Sequence, residues 1–165
     1  MTIQPGDALP ESTLMLMGPN GPEPSPASGL FGKGRTVLFA VPGPFTPTCS
    51  AQHLPGYLEH EGAIRACGID QIACTAVSDI FVMSAWARDN EVGDRITMAA
   101  DGNGDFARAM GLELDGTAFG IGFRTQRYSM HIEDGQVRQL FVERPGEFKV
   151  SSAEHMLASL RGSGS

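Results

Sequence analysis

Apolar and polar positions along the chain fall into short blocks whose spacing switches between a period of two and a period near 3.6. Strand-like runs occur at residues 13–17, 36–41, 69–77 and 96–99, then at Arg127–Glu133 and Val137–Val142. Helix-like stretches occupy 48–66, 80–88, 104–110 and 152–161. The last two strands flank Asp134-Gly135, a strong hairpin signal. Pro55 should bend the first helix, and Ser151-Ser-Ala-Glu154 reads as a capping box opening the last one. Residues 18–34, rich in Gly, Pro and Ser, read as a surface loop. Asp101-Gly-Asn-Gly-Asp105 fits neither a calcium loop nor a phosphate loop and reads as a turn. Strand–helix alternation closing on an antiparallel hairpin and a helix predicts one α/β layered domain over 1–161, with a mixed central β-sheet flanked by helices. Residues 162–165 are expected to be a flexible tail.

Composition narrows the function classes. The 165 residues carry a net charge of −7 with no Lys/Arg block, which argues against nucleic acid or an anionic membrane as partner. No run approaches the roughly 18 apolar residues of a membrane span. The first residues lack the basic and apolar regions of a secretory signal. Three cysteines with no Cys-x-x-Cys make no secreted disulfide framework. A cytoplasmic protein with functional thiols is the expectation.

One cysteine stands apart. The apolar run Thr36–Val41 leads through Pro42-Gly-Pro-Phe-Thr46-Pro-Thr-Cys49-Ser into a helical pattern, so Cys49 is expected at a strand tip in the first turn of a helix. Unpaired backbone N–H groups and the helix dipole favour a thiolate there. Pro42, Pro44 and Pro47 stiffen the approach, and the Thr46 hydroxyl is placed to donate to the sulfur. The bland alternative, a free cysteine buried as a small hydrophobe, fits this junction poorly. The sequence between Arg35 and Arg65 has no Lys or Arg, so any cation beside the sulfur must come from a distant segment.

The same residues carry a family resemblance. Pro42-x-x-x-Thr46-x-x-Cys49 resembles the peroxidatic signature of peroxiredoxins, and residues 41–57 resemble the peroxiredoxin 5 / type II subfamily. Similar blocks recur at 76–86, 100–106, 111–115, 124–130 and 150–154, so the likeness covers nearly the whole chain. It implies a thioredoxin-like fold with peroxiredoxin insertions and a thiol peroxidase acting on hydrogen peroxide and alkyl hydroperoxides. Cys49 would be oxidised to a sulfenic acid, with Thr46 and Pro42 in the catalytic set and no metal or prosthetic group. It also implies that Arg127, immediately before Tyr128, is the missing cation, with Arg124 supporting it. For an arbitrary pair, solvated surface arginines would be the default. Phe45 and Phe119 would form an apolar collar. A homodimer is implied as well.

Recycling is less determined. Some relatives place a resolving cysteine just before the final helix, but this chain has Val150-Ser151-Ser152 there. Glutathione with glutaredoxin is therefore favoured over thioredoxin as the external reductant. Cys74 lies mid-strand, where a side chain is normally buried, yet its spacing from Cys49 resembles two-cysteine plant type II members. It stands as a core thiol or a resolving thiol. Cys67 reads as incidental. His53, on the Cys49 helix face, suits a packed structural role better than a metal ligand or a Cys–His base, since neither has partners nearby. A redox sensor using the same thiolate is the rival from another class.

Overall fold

In a computed structural model, residues 2–162 are described. A seven-stranded sheet has the order β2-β1-β5-β4-β3-β8-β9, and a separate two-stranded hairpin is formed by β6 and β7. The strands are β1 Thr13–Gly18, β2 Gly21–Pro26, β3 Arg35–Ala40, β4 Gln71–Ala76 and β5 Thr97–Ala100, then β6 Glu113–Gly116, β7 Gly122–Thr125, β8 Tyr128–Glu133 and β9 Gln136–Val142. The helices are α1 Ala27–Phe31, α2 Leu54–Glu59, α3 Glu61–Ala66, α4 Ile80–Asp89, α5 Asp105–Met110 and α6 Ala153–Gly162. Strands β3, β4 and β5 run parallel, while β8 lies antiparallel to β3. The sheet is mixed, as the alternation of strand and helix patterns predicts.

Central strands are covered on both faces, which is why they read as continuous apolar runs. Val37, Phe39 and Val41 point to one layer with Leu54, Trp86 and Met156. Leu38 and Ala40 point to the other with Phe31 and Phe106. Helices α2, α3, α4 and α6 thus close one face, and α1 and α5 the other. At the β8–β9 turn, Asp134 and Gly135 both have positive φ (50° and 80°), the conformation a two-residue hairpin requires.

Several expectations need correction. The supposed loop at 18–34 holds β2 and α1. Pro22, Pro24 and Pro26 fall on alternate residues of β2, opposite Met17, Met15 and Thr13. Their missing donors therefore all lie on one side, and β2 is an edge strand with an unpaired outer side to receive them. The helix expected over 48–66 is three pieces: a π-helical turn at Cys49–His53, then α2, then α3 after a break at His60. Pro55 cannot donate to the carbonyl four residues back, and the wider turn, closed by the Leu54 N–H on the Cys49 carbonyl, accommodates it.

The expected capping box does not form, and a single side-chain cap stands one residue later. Ser152 Oγ accepts from the His155 N–H at 3.1 Å and so caps α6. Ser151 Oγ instead donates to Glu143, and Glu154 pairs with His60 at 3.0 Å. The 101–105 turn caps α5 through Asp101, whose carboxylate accepts from the N–H groups of Phe106 and Ala107. Of the expected tail, Gly162 ends α6, and residues 163–165 lie outside the described residues.

Candidate active site

The site begins where β3 ends. Gly43-Pro44-Phe45-Thr46 closes a turn in which the Thr46 N–H donates to the Gly43 carbonyl at 3.3 Å. Proline at the second position and a positive φ at the third (Phe45, 67°) are the pattern of a type II turn. Glycine normally fills that third position; an aromatic residue there costs on the order of 1–2 kcal/mol. The strained residue is also half exposed, at 51%. The Thr46 hydroxyl donates to the same Gly43 carbonyl at 2.5 Å rather than to the Cys49 sulfur, which corrects the sequence expectation.

Cys49 opens the π-helical turn and is fully buried. The turn is pinned from outside, since Trp86 Nε1 donates to Ser50 Oγ at 3.0 Å. The cation comes from the start of β8, 78 positions away, where Arg127 Nη2 donates to Cys49 Sγ at 3.0 Å. That guanidinium N–H puts a fixed donor and a positive charge directly on the sulfur. Arg124 does not reach the sulfur by any hydrogen bond found among the described residues. Its Nε and Nη1 donate to the carbonyls of Ile121 (3.0 Å) and Val77 (3.2 Å), tying the β6–β7 hairpin to the end of β4.

His53 carries more than the sequence suggested. Its Nδ1 lies 2.9 Å from Arg127 Nη1, and its Nε2 lies 3.0 Å from the Ser151 carbonyl. Arginine has only donors and a carbonyl only accepts, so the tautomer is set: Nε2–H donates to Ser151 and Nδ1 accepts from Arg127. Burial first, and then the Arg127 charge, push the imidazole pKa down to about 3, so it is neutral at physiological pH. The i+4 spacing to Cys49 was visible in the sequence, but the partners at 127 and 151 were not.

Cys74 sits on β4 beside Phe39 and Met98, fully buried in the same apolar layer as Cys49. Burial first, then the Cys49 charge, push its thiol well above the usual range, with Arg127 opposing. All three cysteines are free thiols. Above the site opens a cavity of about 200 Å³ lined by Pro42, Thr48, Leu114, Phe119, Ile121 and Arg127, among others. Phe119 stands on a 3₁₀ turn at the tip of the β6–β7 hairpin and is 82% exposed. Phe45 is not among the residues lining that cavity, so the collar expected from both rings is carried there by Phe119. No helix among the described residues is long and apolar enough to cross a membrane.

The arrangement has counterparts. The redoxin family profile matches residues 4–157. The chain is 44% identical over 163 residues to chloroplastic peroxiredoxin-2E of Arabidopsis thaliana, covering 96% of this chain and 70% of that one. Reduced Prx3 of Vibrio vulnificus in complex with hydrogen peroxide superposes with a TM-score of 0.93 at 46% identity, covering 96% and 99% of the two chains. Peroxiredoxin 5 of Alvinella pompejana gives a TM-score of 0.84 at 31% identity, covering 97% and 99%.

Proposed function

Since this chain belongs to the redoxin family as a peroxiredoxin of the peroxiredoxin 5 / type II kind, and so is a thiol-dependent peroxidase, we propose that Cys49 is its nucleophile and that glutathione with glutaredoxin recycles it. The observation that carries this reading is the Arg127 Nη2–H on the Cys49 sulfur at 3.0 Å, a donor aimed at the one cysteine that opens a helical turn beneath a cavity.

The thiolate attacks the distal oxygen of a hydroperoxide. The O–O bond breaks, the sulfur takes the distal oxygen as a sulfenate, and the leaving oxygen departs with the peroxide's own proton as water or an alcohol; a proton from solvent then completes the sulfenic acid. The Thr46 hydroxyl, its hydrogen committed to Gly43, presents lone pairs that receive the peroxide O–H. The Arg127 fork holds charge on the sulfur and then on the leaving oxygen. Pro42 and Phe119 supply apolar wall for an alkyl group. Arg124 acts one step back, by holding the hairpin that carries Phe119.

A first glutathione then condenses with the sulfenic acid, releasing water and leaving a mixed disulfide. A second thiol, delivered by glutaredoxin, releases the Cys49 thiol. The thiol itself is the redox group, so no metal or prosthetic group enters the cycle. Cys74 is a poor attacking thiol while buried and protonated, and the positions before α6 hold Val150-Ser151-Ser152 with no cysteine, which favours an external reductant. Free thiols suit a reducing compartment such as the cytoplasm. The exposed Phe119 ring at the mouth favours a homodimer with its interface there.

The test is peroxide consumption with glutathione/glutaredoxin and with thioredoxin supplied separately. Turnover is expected with the first and lost in Cys49→Ser. Cys74→Ser should keep most of it. A dominant Cys49–Cys74 disulfide after one equivalent of peroxide, with turnover lost in Cys74→Ser, would establish the two-cysteine cycle instead. Stoichiometric oxidation without turnover under either reductant would indicate a sensor.

A further inference from the structure

A conspicuous buried carboxylate lies off the cysteine loop. Glu143 follows β9, is 5% exposed, and its backbone N–H donates to the Arg127 carbonyl at 2.9 Å. One of its oxygens, Oε2, accepts four hydrogen bonds: the N–H groups of Lys149 (2.7 Å), Val150 (2.8 Å) and Ser151 (2.8 Å), and the Ser151 hydroxyl (2.7 Å). Burial pushes the carboxyl pKa up, but the Ser151 hydroxyl and the three amides outweigh it, so the group lies below the ordinary carboxylate range and is ionised.

The clamped segment touches the active site twice. Its Ser151 carbonyl accepts from His53 Nε2 at 3.0 Å and from the Tyr57 hydroxyl at 3.3 Å. Next to it, Phe148 sets its ring edge-on to His53, with centroids 5.2 Å apart, and lies 5.9 Å from the Arg127 guanidinium carbon. His53 in turn accepts from Arg127, and Arg127 donates to Cys49. A continuous path therefore runs from the carboxylate through the Ser151 backbone and the neutral imidazole to the guanidinium and the sulfur.

We propose that Glu143 is a positioning residue of the peroxidase, holding the 148–151 segment so that His53 keeps its acceptor nitrogen on Arg127 and Arg127 keeps its fork on Cys49. Glu143 also borders the cavity, but among the described residues its carboxylate makes no hydrogen bond to the sulfur, and its path to the sulfur runs through the guanidinium. Its removal frees the Ser151 carbonyl to move, His53 loses the partner that fixes its tautomer, and Arg127 gains rotameric freedom beside the thiolate. The inference rests on Cys49 as nucleophile.

A double-mutant cycle tests it, using the full chain and the second-order rate of sulfenic acid formation with hydrogen peroxide. Glu143→Gln keeps the shape but removes the charge that draws four donors to one oxygen. The rate should fall about tenfold in the wild-type background, the loss of a charge-assisted contact, and change less than about twofold in the Arg127→Gln background. Glu143→Asp, which keeps the charge on a shorter stem, should recover part of the rate and serves if the glutamine variant folds poorly. Denaturation reports the structural cost separately, and that cost should be alike in both backgrounds. An equal fold-loss in both backgrounds, or none in either, overturns the proposal. Cys49→Ser in the same assay reports on the nucleophile itself, so failure of the underlying reading is distinguishable.

Discussion

The Cys49 sulfur has two unlike sides. Behind it, Arg127, His53, the Ser151 carbonyl and Glu143 form a chain in which every contact is a hydrogen bond of 2.7–3.0 Å and His53, Ser151 and Glu143 are buried. In front of it, Phe45 sits in a strained, half-exposed turn, and Phe119 stands almost free on a hairpin tip followed by Gly120 and Gly122 at positive φ. The back wall holds charge, and charge is held well only where donors cannot reorganise. The front must admit a hydroperoxide and then a thiol, so few packed contacts restrain it. Precision and access differ by element: the start of β8, the residue after β9 and the turn before α6 supply the hydrogen-bonded chain, whose Arg127 and Glu143 also line the cavity, while the 43–46 turn and the β6–β7 hairpin supply the exposed rings.

The strongest way to break this contrast is to titrate the back wall. His53 binds its proton with a pKa of about 3 when folded, against 6.5 for the free side chain. Between those values the unfolded chain carries a proton that the native chain does not, so stability falls as pH drops from 6.5 toward 3 and is fully present above 6.5. Each pH unit costs about 1.4 kcal/mol, so near pH 4.5 the loss is about 3 kcal/mol, roughly 100-fold in the folding equilibrium. Denaturant midpoints of wild type and His53→Gln at pH 7 and 4.5 isolate this contribution. The stability difference between the two proteins should move by that amount in favour of the variant. A difference independent of pH would mean the imidazole titrates alike in both states, and the back wall is softer than its geometry implies.

Next comes the cation. Arg127→Gln removes the only guanidinium found on the sulfur among the described residues, and the rate of Cys49 oxidation should fall on the order of tens-fold. Arg127→Lys should recover part, because an ammonium cannot bond the sulfur and His53 Nδ1 with the same fixed fork. Stopped-flow oxidation by hydrogen peroxide reads both. Full activity in the lysine variant would reduce the back wall to a simple point charge.

The two sides also differ in how far the sequence revealed them. Pro42, Thr46 and Cys49 are legible because one short loop carries them, whereas the strain at Phe45 is not, since Pro44 fits a type I turn as well as a type II one. Strands β3 and β4 are legible because burial on both faces leaves mostly apolar runs, and β8 because Tyr128, Met130 and Ile132 alternate with polar residues. Arg127 became visible only through the family likeness, since nothing local tells an arginine before Tyr128 from a solvated one. His53 was noticed but read as packing, because its partners lie 74 and 98 positions away. Glu143, in Val-Glu-Arg-Pro, shows no pattern at all; its role exists only once β9 and the 149–151 turn meet. Strand β2 was hidden by its prolines, which read as loop until an open edge is available, and β6 and β7 by being short and glycine-flanked.

The smallest effect is expected at the front, and its selectivity is what makes it informative. Phe119 borders the cavity beside Ile121 and Leu114, yet its ring is 82% exposed, so removing it leaves little hole in the fold. Phe119→Ala should therefore leave the melting temperature and the rate with hydrogen peroxide nearly unchanged. A bulky aromatic hydroperoxide loses apolar contact worth about 1 kcal/mol, raising its KM roughly fivefold. Steady-state kinetics with hydrogen peroxide and cumene hydroperoxide, run in parallel, check both halves. Equal losses for the two substrates would mean the hairpin tip helps align Arg127 through Arg124, and the division between a fixed back and a permissive front would not hold. A loss confined to the bulky substrate places recognition of the alkyl group on the exposed side, apart from the chain of hydrogen bonds that sets the chemistry.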